Sequence, residues 1–175
     1  MERHISGRSL ALLIQGVIGL TWLRAGIEKL TDSHFVPGMG ETLSAFASHN
    51  PHAWYCDFLM SVAIPHATAF GRLVECGETL TGAAMLAAAV MAVLATTRRG
   101  LVATNGLALA GLGAGILMSV NYWFATAWLA PADDTVNLLM AAVQVVLAAP
   151  ALLALAGRRV KSAPSPTLDL TSSPA

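Results

Sequence analysis

The chain has 175 residues, of which 55% are hydrophobic and 11% charged, and its ten basic side chains balance ten acidic ones. Soluble domains carry about a quarter charged residues, so this composition excludes an ordinary soluble fold, and the zero net charge leaves no basic excess for nucleic acid. Lipid accepts apolar surface where water does not. The composition therefore predicts an integral membrane protein whose principal partner is the lipid bilayer.

Four apolar stretches follow one another along the chain, and each exceeds the roughly 20 residues that a membrane span needs. They cover residues 9–30, 66–96, 101–124 and 135–156. The predicted fold is all-α, an integral membrane four-helix bundle that forms one domain over residues 1–161. The remaining residues, 162–175, are rich in Ser, Pro and Thr and predict a disordered tail.

The basic residues predict the orientation of the bundle. Seven of the ten fall on one side of a four-span topology, namely Arg3, Arg8, Arg98, Arg99, Arg158, Arg159 and Lys161. Loops rich in Lys and Arg stay in the cytoplasm. Both termini, and with them the tail, are therefore expected to be cytoplasmic.

The long connection between the first two spans, residues 31–65, has periodic apolar residues of its own. Met39, Leu43 and Phe46 repeat at helical spacing, and the pattern resumes from Trp54. Residues 49–52, His-Asn-Pro-His, are typical of a turn between the two segments. The pattern predicts two short helices that lie at the outer membrane surface.

Charged residues occur inside the first two spans, near their outer ends. Arg24 and Glu28 share a helix face with Lys29 beside it, while the second span carries a row at spacing three, Arg72, Glu75 and Glu78. A charge at the centre of a membrane costs about 2.5–3.5 kcal/mol on insertion scales. Because pairing lowers this cost, the two spans are expected to be neighbours that pack with their charged faces together.

Two interpretations of this cluster stay open from the residues alone. In the first, it forms a polar pocket open to the outer surface, with Asn121 and Asn137 at the rim. In the second, the charges are ion pairs that only orient the helices. Gln144 is expected to form interhelical hydrogen bonds, and the glycines of the third span, Gly106, Gly111, Gly113 and Gly115, are expected to permit close helix packing.

The cysteines and histidines are less informative. Cys56 and Cys76 both fall on the outer side and are compatible with a disulfide, a reactive thiol or two unrelated thiols. The histidines of the outer side do not have the spacing of a metal site, so no metal is expected. The sequence also contains no flavin, haem or iron–sulfur motif.

Three segments resemble the DoxX/DoxD family of membrane proteins. They are residues 22–30 (WLRAGIEKL), residues 70–82 (FGRLVECGETLTG) and residues 121–125 (NYWFA) followed by Asn137. The Gly-x-x-Lys-Leu element of the family corresponds to Gly26, Lys29 and Leu30, and its Gly-Glu pair corresponds to Gly77 and Glu78. The long outer loop that ends in Phe-Gly-Arg-Leu-Val-Glu favours the DoxD branch, which is associated with thiosulfate:quinone oxidoreductase.

The resemblance implies a four-helix protein of the bacterial cytoplasmic membrane that passes electrons from thiosulfate to a membrane quinone. Arg24, Lys29 and Arg72 would attract the dianion, with Glu28, Asn121 and Asn137 completing the binding site. Glu75 or Glu78 would relay the protons that quinone reduction consumes. Cys76 or the quinone itself would take the electrons, because no other redox group is encoded.

Whether the chain is itself an enzyme stays open at this point. The first hypothesis is a quinone-linked oxidoreductase or a membrane subunit of one. The alternative is a non-catalytic membrane anchor or assembly partner of a soluble redox enzyme. A small-solute or proton transporter is a third and less favoured hypothesis, because the two halves of the sequence show no inverted repeat.

Overall fold

The computed structural model describes residues 6–129 and 131–161, without the side chains of His49, Pro131, Asp133 and residues 154–161. This part of the chain forms six α-helices and no strand: α1 (Gly7–Thr31), α2 (Phe35–His49), α3 (Ala53–Phe58), α4 (Ala67–Leu94), α5 (Arg98–Thr126) and α6 (Pro131–Lys161). A π-helical turn, Leu59–Ala63, continues α3. The predicted tail lies outside the described residues.

Four of these helices are long and apolar enough to cross a membrane: α1, α4, α5 and residues Asp134–Leu153 of α6. The predicted all-α, four-helix membrane fold is therefore confirmed. Local signals set where helices begin: the Ser6 hydroxyl accepts from the backbone N–H of Ser9 before α1, and Thr97 does the same for Gly100 before α5. Helix α6 begins at Pro131, a favoured first position, and Asp134 lies inside its first turn.

Helices α1 and α4 pack most closely, at three glycines. A Cβ atom on Gly82 would lie 2.2 Å from the backbone nitrogen of Leu23, and one on Gly26 would lie 2.4 Å from that of Thr79. Gly19 likewise faces Met85. The missing side chains let the two backbones touch, which confirms the prediction that the first two spans are neighbours.

Polar contacts reinforce the same interface at regular intervals. Arg8, Gln15 and Lys29 of α1 bond respectively to the carbonyl of Ala92, the carbonyl of Met85 and the carboxylate of Glu78, all on α4. Together with Trp22, these three residues form a row on α1 in which each member is seven positions from the next. Their three partners on α4 are likewise seven positions apart. Side chains at this spacing lie on one face of a helix, as in left-handed helix pairs. We call this row the α1 ladder.

The four spans are arranged in chain order around the bundle, but the interface between the first and the last of them is loose. Helices α4 with α5 and α5 with α6 pack along their lengths, whereas α1 and α6 make few direct contacts. A groove of about 320 Å³ lies between α1 and α6, lined by apolar residues: Leu13, Ile14, Val17, Ile18, Leu139, Met140 and Val143. Trp22 Nε1 donates across the interface to Gln144 Oε1 at 3.3 Å.

The glycines of α5 divide into two groups. A Cβ atom on Gly115 would overlap the side chain of Gln144, and one on Gly111 would press on Met85, so these two glycines permit close packing as predicted. Gly106 and Gly113 have no neighbour within 4 Å of such an atom, so the same prediction was wrong for them. Gln144 itself is fully buried and donates to Ser119 Oγ on α5 at 3.2 Å, which confirms its predicted role between helices.

The two ends of the bundle differ in construction. We call the end with α2, α3 and the α5–α6 connection the loop end, and the opposite end, where α1 starts and α6 finishes, the terminal end. The predicted short helices and the turn between them are present at the loop end, where a separate hydrophobic core contains Met39, Leu43, Tyr55, Leu59, Ala63 and Ala125. We call α2, α3 and the π-helical turn the cap; it has its own core and packs against the loop-end parts of α4 and α5.

Candidate functional site

The charged cluster converges on Glu78, whose side chain is buried at the loop end of the bundle. The residue is 1% exposed. Lys29 Nζ from α1 donates to its Oε2 at 2.7 Å, and the hydroxyl of Tyr122 from α5 donates to its Oε1 at 2.7 Å. Each carboxylate oxygen therefore has a donor from a different helix. We call Lys29, Glu78 and Tyr122 the acid cluster.

Lys29 connects the acid cluster to the surface of the bundle at the loop end. Its side chain is 28% exposed, whereas that of Glu78 is 2% exposed. The ammonium also lies 5.7 Å from the centre of the Phe35 ring on α2, within the range of a cation–π contact. A charge that enters from the loop end therefore meets Lys29 before it meets the buried carboxylate.

Glu75 and Arg72 form a second ion pair one turn closer to the cap. Arg72 Nη1 donates to Glu75 Oε1 at 2.6 Å. The carboxylate is buried, but the arginine side chain is 67% exposed. Both residues of this pair belong to α4, so the pair does not join α4 to α1. The prediction that the charged faces of the two spans pack together was wrong for these residues.

Arg24 and Glu28 lie elsewhere. Arg24 Nε donates to Glu28 Oε1 at 2.7 Å, and the two side chains are 78% and 62% exposed. Both residues face out of the bundle beside a shallow depression that includes Leu20, Thr21 and Ala25. The prediction that they pack inward against α4 was wrong, because the inward face of α1 carries the glycines and the α1 ladder instead.

The two predicted rim residues lie at the loop end but contact other groups. Asn121 is exposed, and the hydroxyl of Tyr55 donates to its backbone and side-chain oxygens at 3.4 and 3.5 Å. Burial raises the pKa of the Tyr55 phenol, against the effect of this hydrogen bond, so Tyr55 acts as a donor at neutral pH. Asn137 Nδ2 donates to Thr126 Oγ1 at 3.3 Å, which joins α6 to α5.

Neither cysteine belongs to the acid cluster. Cys76 is exposed, although its neighbours on α4 include buried Glu75 and Glu78, so its thiol lies on the other side of the helix. Cys56 lies in the cap, where its thiol contacts the carbonyls of Ala47 and Asn50. Both are free thiols, so a disulfide is not formed. In the described residues, no group of three or more His, Cys, Asp or Glu side chains is placed to hold a metal ion.

Trp22 extends the acid cluster into the bundle. The rings of Tyr122 and Trp22 lie 6.1 Å apart between centres, and Trp22 then reaches Gln144. Sequence reasoning selected Asn121 and missed Tyr122. The signal was the row of residues at helical spacing on α5, Gly111, Gly115, Ser119 and Tyr122, whose small members mark the face that turns inward.

No family model, curated protein or solved structure matches this chain. The resemblance to the DoxX/DoxD proteins therefore stays a prediction from the three segments that carry it.

Proposed function

We propose that the protein is a DoxX/DoxD-like membrane protein that couples oxidation of a small sulfur anion to reduction of a membrane quinone, alone or as a membrane subunit. The observation that carries the proposal is the acid cluster. Ionisable side chains inside a membrane are expensive and in most cases serve ion or proton movement. Here the carboxylate, the cation and the phenol come from three helices and share two hydrogen bonds.

The reaction balances with two protons. Two thiosulfate ions lose two electrons and join through a new S–S bond to give tetrathionate, and the quinone takes up two electrons and two protons to become a quinol. Glu78 is the residue suited to pass those protons, because Tyr122 and Lys29 hold its two oxygens in place. Lys29 provides the exchange with the loop end, where it is partly exposed.

The positions of the charged residues and of Cys76 limit which groups can bind the anion and which can accept the electrons. A dianion cannot touch Glu78 in this arrangement because the carboxylate is buried, so its first contacts would be Lys29 and the exposed guanidiniums of Arg72 and Arg24. Cys76 lies on the opposite side of α4 from Glu78, which favours the quinone over the thiol as electron acceptor. In this proposal both termini lie in the bacterial cytoplasm and the loop end faces outward.

One observation favours a second candidate, a non-catalytic anchor for a redox partner. The exposed ion pair Arg24–Glu28 begins about 10 Å from the loop end of α1 by helix rise. Exposed apolar residues, Leu20 and Ile27, flank it. Such a pair is unfavourable against lipid tails, and a partner subunit seated on this face of α1 would remove the exposure.

The test of the first proposal is thiosulfate-dependent reduction of a short-chain ubiquinone by the purified protein in detergent. Glu78→Gln keeps the shape but cannot carry the charge, and we expect it to reduce the rate at least 100-fold, the usual contribution of an acid–base group. Glu41→Gln, an equivalent change at an exposed position of α2, is the control and should keep the wild-type rate.

Equal rates in wild type and Glu78→Gln would exclude the acid cluster from the reaction. Absence of activity in the wild type would overturn the stand-alone enzyme. In that case, a stoichiometric protein that co-purifies with the wild type and is lost in the double variant Arg24→Ala/Glu28→Ala would establish the anchor.

A further inference from the structure

A second cavity lies at the terminal end of the bundle, far from the acid cluster. It has a volume of about 460 Å³ and is lined by residues from all four spans, within the size range of small-molecule sites. Its walls are mainly small or aliphatic, including Leu12, Ala108, Leu147 and Ala151. By the rise of α1 between Arg8 and Gln15, it extends about 10 Å into the bundle.

Two amides line this cavity. Gln15 is buried, and its Nε2 donates to the carbonyl of Met85 at 2.9 Å. Asn105 on α5 is half-buried and lines the same cavity. An amide side chain has both donors and an acceptor, so these residues suit a ligand that carries acceptors or donors of its own.

Among the described residues that line the cavity, the one charged side chain is that of Arg8. Arg8 lines the cavity and uses one N–H group on the carbonyl of Ala92 at 2.9 Å, which leaves other donors of its guanidinium fork for a ligand. Among the described residues, the stretches that build this end, 6–27, 79–129 and 135–161, contain no Asp or Glu. The complementary ligand is therefore an anion.

The surroundings indicate what kind of anion this is. The first turn of α1, where Arg8 lies, is at the level of lipid headgroups if the four helices span the bilayer, and the walls below it are apolar. The loose interface between α1 and α6 gives the cavity a side that lipid can approach, along the apolar groove described above. Basic pockets between membrane helices are a recognised setting for anionic lipid headgroups.

We propose that this cavity binds an anionic phospholipid, with the phosphate at Arg8 and one acyl chain between the helices. Asn105 donates to a carbonyl of the glycerol esters, and the chain leaves the bundle between α1 and α6. The proposal is independent of the redox function, because it uses none of the residues of the acid cluster.

The test is native mass spectrometry of the purified, delipidated full-length protein, titrated separately with phosphatidylglycerol and phosphatidylcholine. We expect the wild type to retain phosphatidylglycerol more strongly. Arg8→Gln should weaken that retention about fivefold, since one basic residue near a membrane surface contributes about 1 kcal/mol. It should leave retention of phosphatidylcholine unchanged. Arg99→Gln removes a charge from an exposed position at the same end, outside the cavity lining, and is the matched control.

A second variant separates the cavity from general surface charge. Ala11→Phe introduces a ring at a position that lines the cavity, and we expect it to reduce phosphatidylglycerol retention while thermal unfolding confirms that the protein is folded. Equal retention of the two lipids by the wild type would overturn the proposal. Equal losses in Arg8→Gln and Arg99→Gln, or unchanged retention in folded Ala11→Phe, would do the same. Retention of a neutral quinone that competes with the lipid and is insensitive to Arg8→Gln would assign the cavity to a different ligand.

Discussion

The two edges of α1 differ in how they meet their neighbours. Toward α4, the helix has glycines that allow backbone contact and three rungs of the α1 ladder, at Arg8, Gln15 and Lys29. Toward α6, it has the Trp22–Gln144 hydrogen bond and an apolar groove. In lipid, hydrophobicity alone does not drive helices together. Close backbone packing and polar contacts therefore hold α1 more tightly to α4 than to α6.

The largest expected effect comes from replacing a glycine at the tight edge. In Gly82→Ala the new methyl group would fall 2.2 Å from the backbone nitrogen of Leu23, and backbone cannot yield as a side-chain tip can. We expect about 3 kcal/mol of lost stability, at the upper end for overpacking, measured by unfolding in one detergent. Gly16→Ala, with open space around it, is the control, and a similar loss there would contradict the packing argument.

A smaller effect is expected from removing the cation of the acid cluster. Lys29→Met leaves the carboxylate of Glu78 buried without its charge partner. Breaking a fully buried pair costs about 3–5 kcal/mol, and partial exposure of Lys29 lowers the expected loss to about 2 kcal/mol. Adding Glu78→Gln to the same chain should recover most of it.

The exposed pair of α1 provides the comparison for that measurement. Arg24→Met breaks an ion pair whose two side chains are mostly exposed, and such pairs contribute at most about 1 kcal/mol. If Lys29→Met and Arg24→Met destabilise the protein equally, the burial of Glu78 is not the source of the effect.

At the loose edge we expect an effect well below that of Gly82→Ala and comparable to that of Arg24→Met. Gln144→Leu removes the hydrogen bonds to Trp22 and Ser119, and interhelical bonds of this kind average about 0.6 kcal/mol each in membranes. We expect a loss of about 1 kcal/mol, and a coupling of about 0.6 kcal/mol to Trp22→Phe in a double-mutant cycle. A loss as large as that of Gly82→Ala would show that the two edges are equally strong.

Much of the fold could be predicted because a bilayer constrains it so strongly. Hydropathy and length located all four spans, and apolar periodicity located the short helices of the cap. The adjacency of α1 and α4 followed from charge balance and is confirmed by the pair Lys29–Glu78. These inferences needed only the cost of charge and of unpaired backbone groups in lipid.

The arrangement of the site was harder to predict because spacing defines a helix face but not the direction in which it points. Arg24 and Glu28 were grouped correctly with each other and placed on the wrong side of α1. The better guide was the position of the small residues, since Gly19 and Gly26 identify the face that touches α4. The cavity at the terminal end gave no signal in the sequence, because its walls are ordinary aliphatic residues from four helices.

The α1 ladder also has a consequence for how the protein is made. The ladder partners of Arg8, Gln15 and Lys29 all belong to α4, the next span to leave the ribosome, whereas the partner of Trp22 belongs to the last. Three polar side chains of the first span thus find their bonds as soon as the second span is in the membrane. Trp22 finds its partner only when the fourth span arrives, so we expect the α1–α4 hairpin to assemble first during synthesis and α6 to complete the bundle.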